Sequence, residues 1–186
     1  NDISVLSFLG EDKEYKAYIE DTIEENINLN FLIKSNSPTI VKRRFVDNID
    51  SKKILGVYSI NDNLLNSYEE QQFLESLDAI SKEHDLVIVS DYGHGIITPK
   101  IANYISELDN FVSLNTQVNA ANIGTHNIKK YHNINSLVIN ATELCHEMRK
   151  RDGDLEKMAF DVKEITKIET ITVTEGKDGA FLLNNE

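Results

Sequence analysis

The chain has 186 residues, 40% of them hydrophobic and 27% charged, with a formal net charge of −12 and a single cysteine. These values suit a globular domain with a real core. They argue against nucleic acid or an anionic membrane surface as the main partner, because both need a basic footprint. The lone Cys145 excludes an internal disulfide and fits a reducing cytoplasm. No apolar stretch approaches the roughly 20 residues that span a bilayer, and no signal peptide is visible.

The first residue is Asn1, and residues 4–9 already read as a strand in progress; at the other end 179–183 is a strand with no partner after it. Both ends therefore read as cut from a longer protein. Residues 3–9 predict the first strand and 13–26 a helix, with Tyr15, Tyr18, Ile19 and Ile23 on one face. The β-prone runs 31–34, 39–47 and 53–59 follow, separated by turn-forming residues at 35–38 and 48–51. Short adjacent strands of this kind predict an antiparallel flap over 28–60, outside the parallel layer. Within it, Lys42 and Arg44 fall on one face of a strand and Arg43 on the other. Two cations on a flap can grip a phosphate; they equally describe a solvated edge strand kept from aggregating.

Ser67, with Glu70 three residues on, predicts a capping box and a helix whose buried stripe is Phe73, Leu74, Leu77 and Ile80. The run Asp85–Gly95 comes next. Its apolar core Leu86–Val89 predicts a strand buried on both faces of a parallel sheet. Asp91 sits just past the carboxyl end, the edge where open α/β sheets bind ligands. Gly93 and Gly95 let the backbone turn and approach a ligand closely, with Tyr92 and His94 in the same turn. A plain βα loop has the same composition, so both readings stand.

Thr98-Pro99 opens another helix, with Ile101, Ala102, Ile105 and Leu108 facing the sheet, and 111–114 is a strand. The polar, Asn-rich stretch 117–133 gives no assignable element. Residues 137–139 form a strand leading into a helix over 141–149. A second helix over 154–166 carries Leu155, Met158, Ala159, Val162 and Ile165. The last parallel strand, 170–174, is joined to the closing strand by Thr174–Gly179. Alternation of strands and helices predicts one α/β layered domain with a mostly parallel sheet and a small β insertion.

Three segments carry chemistry. Asn140 and Glu143 form a capping box by spacing, yet a carboxylate on the carboxyl edge of a sheet can also hold Mg²⁺ near phosphates. Thr174, Gly176 and Gly179 supply a hydroxyl and freed amides for an anion nest, or only hairpin chemistry around Lys-Asp-Gly. The histidines (84, 94, 126, 132 and 146) show no metal-ligand spacing, and only His94 lies in a ligand-facing turn. Cys145 reads as a core-facing helix residue.

Taken in order, Ser-Asp-Tyr-Gly-x-Gly at 90–95, Asn-x-x-Glu at 140–143, Thr-x-Gly-x-x-Gly at 174–179 and the β flap resemble the ribokinase/PfkB family of carbohydrate kinases. Ser37-Pro-Thr-Ile-Val-Lys-x-Arg44 looks like the sugar-kinase module of heptose-7-phosphate kinases, some of which are fused to a cytidylyltransferase. The resemblance implies a ribokinase-like fold and an ATP-dependent kinase transferring the γ-phosphoryl group to a sugar hydroxyl, the sugar itself being phosphorylated. It places Asp91, Tyr92, Gly93, His94, Lys42 and Arg44 at the sugar. Asn140, Thr174, Gly176 and Gly179 go to the nucleotide, and Glu143 to Mg²⁺. The exposed lid strands suggest pairing with a second copy.

The departures are specific. The family's glycine-rich sugar segment belongs before residue 1, and the Gly-Ala-Gly-Asp segment carrying the general base belongs beyond Glu186, so this piece is expected to be inactive by itself. His94 stands where relatives often have Lys, and Leu114–Gln117 where many have Asp-Pro-x. A non-catalytic module binding nucleotide or sugar phosphate is the rival reading. A receiver-like α/β domain is a weaker one, since simple receivers lack the β insertion.

Overall fold

The structure, a computed structural model, describes residues 2–12, 14–117 and 128–184. It divides into two compact units, residues 1–77 and 78–186.

The first unit contains β1 (Ile3–Leu9), α1 (Glu14–Thr22), β2 (Ile27–Ile33), β3 (Val41–Val46) and β4 (Lys53–Ser59), and it ends within α2 (Ser67–Ser81). β1 and β2 pair in parallel from Ile3↔Ile27 to Leu9↔Ile33. The predicted flap over 28–60 is corrected by this pairing. Its first run belongs to a parallel βαβ unit, because α1 is a crossover long enough to bring β2 back beside β1 in the same direction. What remains of the flap is one antiparallel hairpin, β3–β4, with an irregularity between Phe45 and Val46.

α1 is also shorter than predicted. The Thr22 hydroxyl donates back to the carbonyls of Tyr18 and Ile19 at 2.8 and 3.2 Å, a competing bond of the kind that ends or bends helices. Tyr18 is exposed rather than part of a buried stripe. The core of this unit is Phe8, Leu9, Leu65, Phe73, Leu74 and Leu77, and the rings of Phe8 and Phe73 stack with centroids 5.8 Å apart. The cap of α2 sits one residue earlier than predicted. Asn66 Oδ1 accepts from the amides of Tyr68 and Glu69, and Glu69 Oε2 accepts from the Asn66 amide. Asn66 Oδ1 accepts from two amides of the first turn at once, which makes it the cap.

The second unit holds β5 (Leu86–Asp91), α3 (Pro99–Ser106), β6 (Phe111–Thr116), β7 (Ser136–Asn140), α4 (Ala141–Glu147), α5 (Leu155–Thr166), β8 (Thr170–Thr174) and β9 (Ala180–Leu183). The sheet order is β5-β6-β7-β8-β9, with the first four strands parallel and β9 antiparallel. Strands laid down in sequential order with right-handed crossovers place their connecting helices on one face. Val89, Val112, Leu114, Leu137, Ile139, Ile171 and Val173 are buried on the sheet, as are Ile101, Ala102, Ile105, Leu144, Met158, Ala159 and Val162 on the helices.

One consequence corrects the sequence reading of β5. Leu86 and Ile88 are 48% and 70% exposed, and only alternate residues such as Val89 and Asp91 are buried. β5 is an outer strand of this sheet and its helices cover one side. On α5, Ile165 is exposed, while Lys163 and Thr166 are buried. No helix among the described residues is long and apolar enough to cross a membrane.

Candidate functional site

Four of the predicted site residues come together along one rim. Asp91 ends β5, Asn140 ends β7 and Thr174 ends β8, with Glu143 one turn into the helix that follows β7. Register places Asp91 opposite Thr116 of β6, and Asn140 opposite Thr174. Because the four strands run parallel, all of these positions fall at the carboxyl edge.

Asp91 is 3% exposed and heavily engaged. Its Oδ1 accepts from the Gly93 amide at 2.9 Å. Its Oδ2 accepts from the Tyr131 hydroxyl at 2.7 Å and pairs with Lys130 Nζ at 2.6 Å. Burial, with the Asp91 charge beside it, pushes the Tyr131 phenol well above its ordinary range, so this hydroxyl stays a donor. Gly93 and Gly95 have φ of +66° and +80°, a left-handed backbone that only glycine adopts without strain. In the same turn, Tyr92, just before Gly93, is 41% exposed, and His94, between the two glycines, is buried.

Lys130 and Tyr131 escaped the sequence reading. They lie at and just after a 3₁₀ turn, Ile128–Lys130, in the stretch to which no element was assigned. The available signal was the three-residue spacing of Ile128, Tyr131 and Ile134, all of which are buried. This short segment is tied from several sides. Glu147 accepts from the Ile128 amide, Ser106 Oγ from the His132 amide and the Thr166 carbonyl from the Asn133 amide. Burial raises the Glu147 carboxyl against the opposing pull of that amide and of Lys129 and Arg149.

At the next strand end both arms of the predicted capping box are present. Glu143 N donates to Asn140 Oδ1 at 2.9 Å, and Asn140 N donates to Glu143 Oε2 at 3.1 Å. The structural role foreseen for this pair is therefore filled. Among the described residues no group of three or more His, Cys, Asp or Glu could hold a metal. A site built from one carboxylate and the phosphates of a nucleotide needs no such group.

Thr174–Gly179 is a tight connection between β8 and β9, closed by Glu175 N donating to the Gly179 carbonyl at 2.8 Å. Gly176 and Gly179 have φ of +60° and +100°, and the space beside each is open. Lys42 and Arg44 belong to the first unit. They share one face of the β3–β4 hairpin, opposite Tyr58 and Gly56, with Lys42 Nζ 6.0 Å from the Tyr58 ring centre. His126 lies outside the described residues.

The first unit also has a buried polar cluster that the sequence did not suggest. Lys34, 7% exposed, donates from Nζ to the carbonyls of Asn61 and Asn63 at 2.8 and 2.5 Å. Burial lowers its pKa while the charges of Glu69 and Asp62 raise it. Glu69 accepts from the Ser35 and Asn66 amides. Nearby, a Cβ on Gly10 would lie 2.0 Å from the Thr39 backbone, so no larger residue fits there.

No family model matches this chain. It is similar to the bifunctional protein HldE of a Nitratiruptor species, 23% identical over 100% of this chain and 38% of that protein. It is also similar to HldE of Campylobacter jejuni, 26% identical over 98% and 38%. The chain thus spans under two fifths of these curated relatives. Among solved structures, a ribokinase from Thermotoga maritima superposes with a TM-score of 0.70 at 16% identity, over 98% of this chain and 57% of that one. Phosphofructokinase-2 from Escherichia coli in complex with fructose-6-phosphate gives 0.70 at 13%, over 100% and 61%. The chain therefore has the ribokinase-like fold of sugar kinases and resembles, along its whole length, a part of the bifunctional HldE proteins.

Proposed function

We propose that this chain is the central part of an ATP-dependent sugar kinase whose substrate is a phosphorylated sugar of the heptose 7-phosphate kind. The observation that carries the reading is the common rim: Asp91, Asn140 and Thr174 end parallel strands of one sheet, with Glu143 just behind. Likeness to HldE proteins and to sugar kinases of the same fold supports it. Sugar specificity is assigned to the turn Tyr92–His94 and Asp91, with Lys42 and Arg44 reserved for the substrate's own phosphate. Asn140, Thr174, Gly176 and Gly179 are assigned to the phosphates of ATP.

Glu143 would hold Mg²⁺, which neutralises charge on the transferring phosphoryl group. The protein's contribution is mainly alignment: amides and hydroxyls fixed on strand ends before the ligands arrive. The general base and its anion hole are assigned to a Gly-Ala-Gly-Asp segment of a longer protein, which by analogy with its bifunctional relatives also carries a cytidylyltransferase. The β3–β4 hairpin is assigned a homodimer contact.

Calorimetric titration tests the reading. Mg·ATP and a heptose 7-phosphate should each bind saturably, and Lys42→Ala with Arg44→Ala should weaken the sugar phosphate about tenfold while sparing Mg·ATP. Binding of neither ligand would sink the proposal. Binding of both, with no turnover in a chain extended at both ends, would favour the non-catalytic module.

A further inference from the structure

The Lys130 ammonium touches both ends of the glycine turn. Its Nζ lies 2.6 Å from Asp91 Oδ2, where the turn begins, and 2.8 Å from the Ile97 carbonyl, where it ends. Its side chain is 19% exposed, so these bonds form away from bulk water and are charge-assisted. The span they close contains Gly93 and Gly95, both left-handed, and such a segment has much backbone freedom to lose. Tyr131 fixes the same carboxylate oxygen from the adjacent position and is 1% exposed. Lys130 Nζ also lies 5.3 Å from the centre of the Tyr131 ring, a cation–π distance.

We infer that Lys130 is a positioning residue that clasps the turn 91–97 and sets its aperture, with Tyr131 aligning the carboxylate it grips. The inference rests on the sugar-kinase reading for its ligand, and it changes the part Asp91 plays in that reading. Both Asp91 oxygens already accept protein donors, so Asp91 acts chiefly as the anchor of the turn. The sugar is then read by the turn it holds open, from Tyr92 to Gly95. A buried carboxylate also needs a counter-charge, and Lys130 supplies it. Two roles therefore need separating: neutralising Asp91, and bridging to Ile97.

The test compares Lys130→Met, Tyr131→Phe and the double variant Asp91→Asn with Lys130→Met. Two readouts are used: calorimetric binding of a heptose 7-phosphate and of Mg·ATP, and hydrogen exchange of the amides at 92–98. The clasp predicts that Lys130→Met speeds exchange across the turn and weakens the sugar phosphate about tenfold, with Mg·ATP unchanged. The double variant, relieved of an unpaired buried charge, should regain thermal stability but not sugar-phosphate affinity. Tyr131→Phe should give a smaller loss of the same ligand. Recovery of affinity in the double variant would reduce Lys130 to a counter-ion and overturn the proposal. Unchanged exchange at 92–98 in Lys130→Met would overturn it whatever the ligand does. If the unaltered chain binds neither ligand while exchange still quickens, the kinase reading fails and the role in sugar positioning falls with it.

Discussion

Asn140 and Glu143 are bonded to each other twice, each side chain accepting from the other's backbone amide. This reciprocity starts α4 at the end of β7 and fixes the Glu143 carboxylate at the sheet's rim. A cap and a ligand make different demands on that carboxylate, and substitution separates them. Glu143→Ala removes the acceptor for the Asn140 amide and should cost about 1 kcal/mol in urea unfolding. Glu143→Gln keeps an acceptor oxygen in the same place and should retain most of the stability. If the carboxylate also serves Mg²⁺, the glutamine variant should still lose about tenfold in Mg·ATP affinity. Normal Mg·ATP binding by Glu143→Gln would leave Glu143 a cap and nothing more.

Glu69 makes acid a specific threat to the first unit. Burial opposes its ionisation, but the Ser35 and Asn66 amides and the Lys34 charge outweigh it and hold the carboxyl below its ordinary 4.5. A carboxyl depressed in the folded state contributes stability that is fully present above its unfolded pKa and is lost as pH falls through the folded one. Urea unfolding of the chain should therefore weaken progressively below about pH 4.5. Glu69→Gln should start lower and show a flatter decline over that range. Parallel declines in the two proteins would assign the acid sensitivity to other groups.

The sheet was legible in the sequence because its strands are local apolar runs punctuated by Asx and glycine. Leu86–Asp91, Ser136–Asn140 and Thr170–Thr174 all appear close to where periodicity puts them. What failed was anything decided by distant partners. β2 reads as a flap strand because its composition does not name its neighbour; its place is set by β1. Leu86 and Ile88 read as buried because apolar character does not say how many faces of a sheet are covered. Lys130 and Tyr131 stand in a stretch with no strand or helix pattern, and their role was not legible because their partners, Asp91 and Ile97, lie more than thirty residues away in the sequence. The shift of the α2 cap from Ser67 to Asn66 is a smaller case, in which two good capping residues stand side by side and geometry chooses.

Lys163 is an apparent fault in α5. Its residue is buried, and Nζ has no hydrogen-bond partner among the described residues. A buried ammonium without a partner opposes folding. Lys163→Met keeps the packed aliphatic stem and removes the charge, so it should raise the stability of the chain by about 1 kcal/mol, seen as a higher urea midpoint with an unchanged m-value. A lower midpoint would show that the ammonium has a stabilising partner in solution.

The β3–β4 hairpin poses a packing problem of its own. Among the described residues its two strands pair only with each other, and an isolated two-stranded ribbon is marginal in water. One face carries Lys42, Arg44 and Tyr58, the other Val41, Arg43, Phe45, Leu55, Val57 and Ser59. On that second face Phe45, Leu55 and Val57 are 49%, 53% and 48% exposed, and Phe45 stands directly across from Leu55. The apolar patch at the Phe45–Leu55 end of this face, with Val57 beside it and Arg43 opposite Val57, can meet its own copy across a two-fold axis, which needs no second type of surface. Sedimentation equilibrium of the chain should therefore show a dimer at tens of micromolar. Phe45→Glu places a charge beside its own copy in that contact and should leave a monomer with the hairpin's polar face intact. Such a variant should keep its α/β circular dichroism, since Phe45 lies outside the core of Phe8, Phe73 and Leu77. A chain that stays monomeric without the substitution would remove the second copy as the partner of this face.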